Sequence, residues 1–408
     1  MRYATSLYRT LQKRRGEILG FAALLLLWRL CLMALSIDPL SHDPQDSYTL
    51  QAMAWRAGQL SITPSELSHD LELAVYGGKL YVSFPPVPTL PLWLLTFFFD
   101  YATPNRMVNL FYFLSSYLVG YSLCRRLNKA DGPSAVWAAF LVAGCNFLYL
   151  CWFGGVWYQA QALSFLLTLC VFRLLLCKTS AAWSTGLFCL ALAVGCRPFQ
   201  AVYIVPGLWM ACRNIQGRNK IRMPIQRALI RVLYLCVPAI LVGLGYGLYN
   251  MARFGSFFEF GHTYLPEFQE YGPQFSLSYF PENLKNVFRL PWIEEGRLNF
   301  PRFNGFAFYL VNPLFLLALG AAVQGLCKKR FRTLDVLLAL CLVLHFNLLL
   351  LHRTFGGWQF GARYLIDLCP ALFYLALRHP GKSKLLVGAV MVWGVLFNLY
   401  GGLLFNLT

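Results

Sequence analysis

Long apolar runs with almost no charge dominate this sequence and restrict what it can fold into. The chain has 408 residues, of which 58% are hydrophobic and 13% are charged. Soluble domains contain roughly 45–50% apolar and about 25% charged residues. About 20 consecutive apolar residues cross a bilayer as a helix, because a helix satisfies its own backbone hydrogen bonds in lipid. We therefore predict an all-α polytopic membrane protein.

Eleven segments have the length and composition of spanning helices. They are 17–36, 103–124, 134–153, 158–177, 181–196, 199–212, 232–250, 306–326, 334–352, 364–377 and 385–405. A further apolar run, 88–99, is shorter than the roughly 20 residues that a span needs and has prolines near its start. We predict that this run and the mixed segment 46–57 form two helices that lie on the outer surface.

The basic residues cluster at one set of helix ends. With the N-terminus inside, the inner segments hold 22 of the 35 Lys and Arg residues, and their acidic residues are Glu17, Asp131 and Asp335. Positively charged loops stay cytoplasmic, so this orientation is favoured, and it places the C-terminus outside. The two long loops, 37–102 and 251–305, then lie outside within a single transmembrane domain. Topology accounts for the net charge of +18, and no nucleic-acid partner is expected.

Two carboxylates, Asp43 and Asp46, follow the first predicted helix. A carboxylate at the mouth of a bundle can take a proton from an acceptor hydroxyl as a general base. The pair can also hold a divalent cation through oxygen ligands. Asp46 equally suits the N-cap of the helix predicted to follow it. The residues alone leave these alternatives open.

Several cations lie on the same predicted outer side and suit a lipid-borne phosphate. Lys79 precedes a proline-rich turn, and its alternative role is that of an interfacial anchor. Arg197 occupies a tight turn, where it can pair with a carboxylate or with a phosphate. Arg363 ends a glycine-rich loop, and arginine binds phosphate through two parallel hydrogen bonds. Its alternative partner is a carboxylate such as Asp367.

The second outer loop adds Glu259 and His262 among aromatic residues, and the last one adds Arg353 and Tyr364. All these polar groups belong to one side of the membrane, which favours chemistry on a lipid-borne substrate at the outer interface. A flippase or transporter would carry charges along a path through the bilayer. A non-catalytic protein of envelope polysaccharide assembly is the third alternative.

Four motifs occur in an order that carries a family resemblance. They are HDP at 42–44, YVSFPPVP at 81–88, RFGSFFEFG at 253–261 and GWQFGARY at 357–364. With them the chain resembles the GT-C superfamily of polyprenyl-phosphate-sugar-dependent glycosyltransferases. Within it, the chain is similar to the bacterial glycosyltransferase family 39 type, to protein O-mannosyltransferases and to aminoarabinose lipid A transferases.

The resemblance implies a GT-C-like bundle with its active site on the outer face of a bacterial cytoplasmic membrane. It implies inverting transfer from a polyprenyl-phosphate sugar to a glycan, lipid or protein acceptor, with no nucleotide required and a divalent cation left open. The family's catalytic carboxylate falls on Asp43. Many members carry two adjacent acids, whereas here Pro44 follows Asp43. This leaves open whether Asp46, or Glu259 of the later loop, also acts.

The resemblance also assigns the substrate-binding residues. Arg363, together with Lys79 or Arg197, would hold the departing lipid phosphate. The remaining candidates for substrate binding are His262, Arg353 and Tyr364.

Overall fold

The computed structural model of the chain describes residues 12–63, 72–127, 129–217, 224–381 and 383–407. In these residues about 70% of the structure is helical, and there are seventeen α-helices. The helices are α1 (Arg15–Ala34), α2 (Ser47–Arg56), α3 (Thr89–Phe99), α4 (Asn105–Arg126), α5 (Asp131–Ala143), α6 (Phe147–Leu150), α7 (Val156–Leu175), α8 (Ser180–Val194), α9 (Ile204–Gly217), α10 (Ile225–Phe254), α11 (Pro266–Tyr271), α12 (Phe280–Phe288), α13 (Phe308–Val311), α14 (Leu314–Cys327), α15 (Thr333–Leu350), α16 (Cys369–Arg378) and α17 (Lys384–Leu407).

Short elements fill the two long loops and lead into two of the helices. The antiparallel strands are β1 (Leu73–Tyr76), β2 (Lys79–Val82), β3 (Trp292–Glu294) and β4 (Arg297–Asn299). The 3₁₀ helices Pro198–Tyr203 and Arg363–Leu368 run directly into α9 and α16. Both turn glycines between β1 and β2, Gly77 and Gly78, have positive φ angles of 57° and 71°. Two consecutive residues with positive φ define the tight hairpin turn that matches the twist of the strands.

Each of the eleven predicted spans contains helix in the structure. Six of the described helices are long and apolar enough to cross a membrane, namely α1, α4, α7, α10, α15 and α17. Two more, α8 and α14, are apolar but shorter. The prediction of an all-α membrane fold is therefore confirmed, and the count of eleven spans stays a prediction.

Two of the predicted spans, 134–153 and 306–326, are each broken into two helices. The two interruptions are in contact: the backbone N–H of Asn146 donates to the side-chain oxygen of Asn312 at 3.0 Å. The side-chain amide of Asn146 also donates to the Phe360 carbonyl at 2.8 Å. An interrupted helix inside a bilayer leaves backbone groups without partners, and these side-chain amides supply them.

The two predicted surface helices are present as α2 and α3, each one residue shorter at one or both ends than the predicted segments 46–57 and 88–99. They pack on each other through a buried hydrogen bond in which the Thr89 hydroxyl donates to the Gln51 side-chain oxygen at 2.5 Å. At the other end Arg56 reaches Asp100 at 2.7 Å. This pair frames the mouth of the bundle from which the first acidic motif emerges.

The 30-residue helix α10 exposes a long apolar face on the outside of the bundle. Only 11% of its most apolar window is buried, and its exposed side chains include Leu229, Leu233, Leu241 and Leu248. A continuous apolar face of this length is unfavourable in water and favourable against lipid. By contrast, 72% of the most apolar stretch of α7 is buried, so α7 runs through the core of the bundle.

Candidate active site

Two adjoining chambers lie where the loops 37–102, 251–305 and 353–363 converge. They have volumes of about 300 Å³ and about 310 Å³, and both are lined by Phe84, His262 and Tyr364, which form a shared wall. We call the first one the apolar chamber; its other lining residues include Arg197, Phe199, Phe258, Glu259, Phe275 and Asp367. We call the second one the Arg363 chamber; its other lining residues include Gln45, Glu72, Trp157, Tyr158, Glu267 and Arg363.

Arg363 is a buried cation, with only 5% of the residue exposed. Its guanidinium donates to the Gly356 carbonyl at 2.7 and 3.2 Å and to the Gln161 side-chain oxygen at 3.5 Å. It also faces the rings of Tyr158 and Tyr364, at 5.6 and 5.2 Å. No ion pair within 4.0 Å among the described residues involves Arg363. Its direct contacts are therefore with neutral groups, and the nearby carboxyl of Glu72 in the same chamber interacts with its charge only at longer range.

Arg197 differs from Arg363 because it has a carboxylate partner. Its Nε donates to Asp367 at 2.9 Å, and its guanidinium stacks 4.7 Å from the centre of the Tyr364 ring. Gln161 donates to the other oxygen of Asp367 at 3.3 Å and so links the two arginines. Asp367, which the sequence offered as an alternative partner for Arg363, is thus paired with Arg197.

Asp43 is buried beside the Arg363 chamber without lining it. One carboxylate oxygen accepts from the Gly154 amide at 2.9 Å and lies 3.4 Å from Arg106, and the other accepts from the Gln45 amide at 3.2 Å. A Cβ on Gly154 would lie 2.2 Å from the side-chain oxygen of Asn105, so only glycine permits this approach. Gln45 lines the chamber and Asp43 does not, so Gln45 lies between the Asp43 carboxylate and the chamber.

Asp46 is the N-cap of α2 and is 1% exposed. Its two oxygens accept from the backbone amides of Tyr48 and Thr49, from the Thr49 hydroxyl at 2.6 Å and from the Asn105 side chain at 2.9 Å. Burial raises the pKa of this carboxyl, and the hydrogen bonds from Thr49 and Asn105 oppose that shift. Asp46 therefore performs the capping role that its sequence position allows.

The structure gives no support to a metal held by the two aspartates. In the described ranges, no three His, Cys, Asp or Glu side chains are grouped so that they could hold a metal ion. The Asp46 oxygens are already occupied by four donors, and Asp43 contacts the cation of Arg106. Donors in these positions compete with a divalent cation for the same lone pairs, so this pair does not fit one.

Three more predicted site residues lie at the chambers. Glu259 lines the apolar chamber, but its oxygens accept from the Gly261 amide at 2.6 Å and from the Thr263 hydroxyl at 2.7 Å within its own loop. His262 stands in the shared wall, 3.3 Å from the Ser83 carbonyl, and burial lowers its pKa to about 4. Its imidazole is therefore neutral at neutral pH. Tyr364 completes that wall beside both arginines.

The two remaining candidates, Lys79 and Arg353, line neither chamber. Lys79 is exposed at the start of β2, beside the hairpin turn. Arg353 donates to the Glu267 carbonyl at 2.7 Å, and its guanidinium lies over the rings of Phe268 and Tyr271. Both cations are on the chamber side of the molecule but outside the cavities.

Glu72 is a lining residue that the sequence analysis did not single out. Its carboxylate accepts from the Trp157 indole at 3.0 Å inside the Arg363 chamber, and burial raises its pKa. The sequence did carry a signal, since Glu72 is an acidic residue directly before the apolar strand β1. Gln161 was also missed, although an amide inside a predicted span, here near its start, points to a buried polar network.

The described geometry can be set beside known proteins. No protein-family model matches the chain, and no curated protein matches it significantly. The structure of ArnT from Cupriavidus metallidurans bound to undecaprenyl phosphate is similar, with 15% identity, a TM-score of 0.51 and coverage of 90% of this chain and 60% of that one. The apo form of the same ArnT gives 14% identity, a TM-score of 0.51 and coverage of 92% and 61%.

A structure of a second enzyme gives the same result. The apo oligosaccharyltransferase of Archaeoglobus fulgidus shares 11% identity, with a TM-score of 0.51 and coverage of 94% of this chain and 56% of that one. This chain therefore spans less than two thirds of the length of the proteins that it matches. One of these proteins was solved with undecaprenyl phosphate bound, and both have the GT-C fold. At these identities the likeness is one of fold, and the chain has the fold of the GT-C membrane glycosyltransferases.

Proposed function

We propose that this chain is an inverting glycosyltransferase that moves a sugar from a polyprenyl-phosphate donor to a glycan, lipid or protein acceptor at the outer face of the membrane. The observation that carries the proposal is Arg363, a buried guanidinium that faces a chamber and makes no ion pair within 4.0 Å among the described residues. A buried charge is costly unless it is paired. A phosphate supplies the missing charge and matches the planar fork of arginine.

The neighbouring apolar chamber supports a lipid-linked donor. It adjoins the Arg363 chamber across Phe84, His262 and Tyr364, and aromatic side chains such as Phe199 and Phe275 line it. An isoprenoid chain beside the phosphate would bury its first units against these rings. The ArnT with the similar fold was solved with undecaprenyl phosphate bound, which supports the same class of carrier here.

The proposed reaction is a direct displacement at the anomeric carbon. The acceptor oxygen forms a bond to that carbon from the face opposite the phosphate, and the bond between the carbon and the phosphate oxygen breaks. The acceptor proton passes to Asp43, whose orientation is fixed by the amides of Gly154 and Gln45. Arg363 stabilises the charge that develops on the departing lipid phosphate.

A second carboxylate competes with Asp43 for the role of base. Glu72 lies inside the Arg363 chamber, and burial raises its pKa, which brings a carboxylate closer to the range where general bases work well. Asp43 is favoured by its place in the acidic motif of the resemblance, and Glu72 by its position. The two variants Asp43→Asn and Glu72→Gln separate them.

A transporter fits the described residues less well. The two arginines predicted to lie well inside spans are Arg29 and Arg173. Arg29 is exposed on α1, and Arg173 donates to the Ser122 hydroxyl at 2.7 Å and to Cys177. Neither lines a chamber. The polar groups that face the chambers stay at one end of the bundle, as expected for surface chemistry on a lipid headgroup.

Donor binding by purified protein tests this proposal. We expect Arg363→Ala to weaken binding of a polyprenyl-phosphate sugar by roughly 10- to 100-fold, because a hydrogen-bonded charge contributes about 1.5–3 kcal/mol. Lys79→Ala is the matched control, since it removes one cation from the same side but from outside the chambers. Unchanged donor affinity in Arg363→Ala would remove Arg363 from the site and contradict the proposal.

Thiol labelling in intact cells tests the outer placement, in a background without the 13 native cysteines. Cysteine at Glu295, exposed in the hairpin between β3 and β4, should react with an impermeant reagent. Cysteine at Lys178, exposed in the predicted inner turn between α7 and α8, should react only after the cells are opened. The reverse pattern would place the chambers inside the cell.

A further inference from the structure

A continuous groove lies at the end of the bundle that is opposite the two chambers. Two cavities of about 590 Å³ and about 540 Å³ share Phe331, Arg332 and Arg378 and so form one depression. Arg213 lines one side of it, and Lys329, Arg330 and His379 line the other. We call this feature the basic groove.

The helix α15 fixes the distance between the basic groove and the chambers. It begins at Thr333, which lines the groove, and ends at Leu350, two residues before His352 of the apolar chamber. Its 18 residues span about 27 Å at 1.5 Å per residue. The hydrocarbon core of a bilayer is about 30 Å thick. The groove and the chambers therefore lie at the two opposite headgroup levels.

The basic groove keeps its positive charge because the nearby acid, Asp335, already has partners for its oxygens. Asp335 is fully buried, and its oxygens accept from Arg378 at 2.5 and 3.2 Å and from the backbone amide of Arg332 at 2.9 Å, with His379 at 3.2 Å. Among the described side chains, no acidic residue lines either cavity. No ion pair in the described ranges involves Lys329 or Arg330.

Apolar residues line the basic groove together with its cations. Trp209 carries Arg213 over its ring at 5.6 Å, and Phe331 lies in both cavities. Leu127 and Leu377 complete the apolar wall of the second cavity. A ligand that satisfies both kinds of wall is amphipathic and anionic. A phosphate on a glycerol backbone with acyl chains has this character.

We propose that the basic groove binds the phosphate headgroup of an anionic membrane phospholipid. The cations of Lys329, Arg330 and Arg332 contact the phosphate, and the glycerol region lies against Phe331 and Trp209. The site is independent of the proposed transfer reaction, because it lies at the other end of the bundle. A soluble phosphate compound shares the recognised chemistry, and the experiment separates the two sources.

Native mass spectrometry of the purified full-length protein tests the proposal with phosphatidylglycerol, zwitterionic phosphatidylcholine and inorganic phosphate as probes. The groove variant combines Lys329→Ala, Arg330→Ala and Arg332→Ala. The control variant combines Arg15→Ala, Lys178→Ala and Lys384→Ala. These three residues are exposed, lie on the predicted inner side and line neither cavity of the groove. Both variants lose three positive charges from exposed positions.

We expect wild-type protein to prefer phosphatidylglycerol and the groove variant to bind it roughly 100-fold more weakly, because each cation near an anionic surface contributes about a fivefold factor. The control variant should keep its preference. Equal loss in both variants would reduce the effect to general surface charge and overturn the site. Inorganic phosphate that binds alone, and displaces phosphatidylglycerol at equal concentration, would overturn the lipid source. Undiminished binding in the groove variant would overturn the proposal as a whole.

Discussion

Arg378 and Arg363, which lie at opposite ends of the helix bundle, have different kinds of partner. At the groove end, Arg378 contacts Asp335 at 2.5 Å, and the backbone of Arg332 and the ring of His379 fill the remaining positions around that carboxylate. At the chamber end, Arg363 contacts a carbonyl and an amide, with no carboxylate among the described residues. Arg363 is buried, whereas the Arg378 side chain is 21% exposed. The difference is that Arg378 has a carboxylate partner within the fold, whereas Arg363 has none in contact and is the residue that we propose to bind the donor phosphate.

The largest effect is expected from the carboxylates of the chamber end. Asp43→Asn should slow sugar transfer by about 10²–10⁴-fold, because an amide keeps the size of the side chain but cannot take a proton. Transfer is measured in purified protein, with donor binding and thermal unfolding as controls. Asp46→Ala should act mainly on stability, by about 1 kcal/mol, since it removes the N-cap of α2. Full transfer by Asp43→Asn, with the loss appearing in Glu72→Gln instead, would move the base to Glu72.

A change to the Asp335–Arg378 ion pair at the groove end should lower the stability of the protein and leave donor binding unchanged. Asp335→Asn leaves Arg378 and His379 without their carboxylate and should lower the free energy of unfolding by about 3–5 kcal/mol. Thermal unfolding in detergent measures the loss, and donor binding by the folded fraction should stay at the wild-type value. The double variant with Arg378→Met should recover part of the stability, because it also removes the unpaired cation. A selective loss of donor binding in Asp335→Asn would break the contrast between the two ends.

A smaller change at Arg363 sharpens the claim that its geometry matters and not only its charge. Arg363→Lys keeps the charge but loses the planar fork, so donor affinity should fall by about tenfold. Arg353→Lys is the matched control, because Arg353 belongs to the same loop and lines neither chamber. Equal donor affinities for both variants would mean that the chamber supplies only a positive field.

The last effect concerns pH. Burial lowers the pKa of His262 to about 4, whereas an unfolded histidine titrates near 6.5. Between these values the unfolded chain binds more protons, so stability falls as the pH is lowered from 6.5 towards 4, by up to about 1.4 kcal/mol per pH unit. Neighbouring His352, whose pKa is also lowered by burial, adds to this slope. His262→Phe should have a shallower dependence of unfolding on pH, and an unchanged slope would contradict the burial of a neutral imidazole.

Periodic features of the sequence anticipated most of the fold. Apolar length gave the helices, proline and length separated α3 from the spans, and the position of Asp46 allowed its role as N-cap, which the structure shows. The sequence did not indicate where spans 134–153 and 306–326 break. Those breaks depend on Asn146 and Asn312 meeting across 166 residues of chain, and hydropathy carries no information about such a contact.

For the candidate site, too, the sequence determined some features and the tertiary structure determined others. By itself, the sequence determined that acids, arginines and aromatics gather in the loops 37–102, 251–305 and 353–363, because charge and apolar length are local properties of the chain. Only the tertiary structure decided which arginine is neutralised: Asp367 pairs with Arg197 and leaves Arg363 with the Gly356 carbonyl and Gln161. Coulomb energy depends on distances of a few ångströms between groups far apart in the chain, and folding sets those distances.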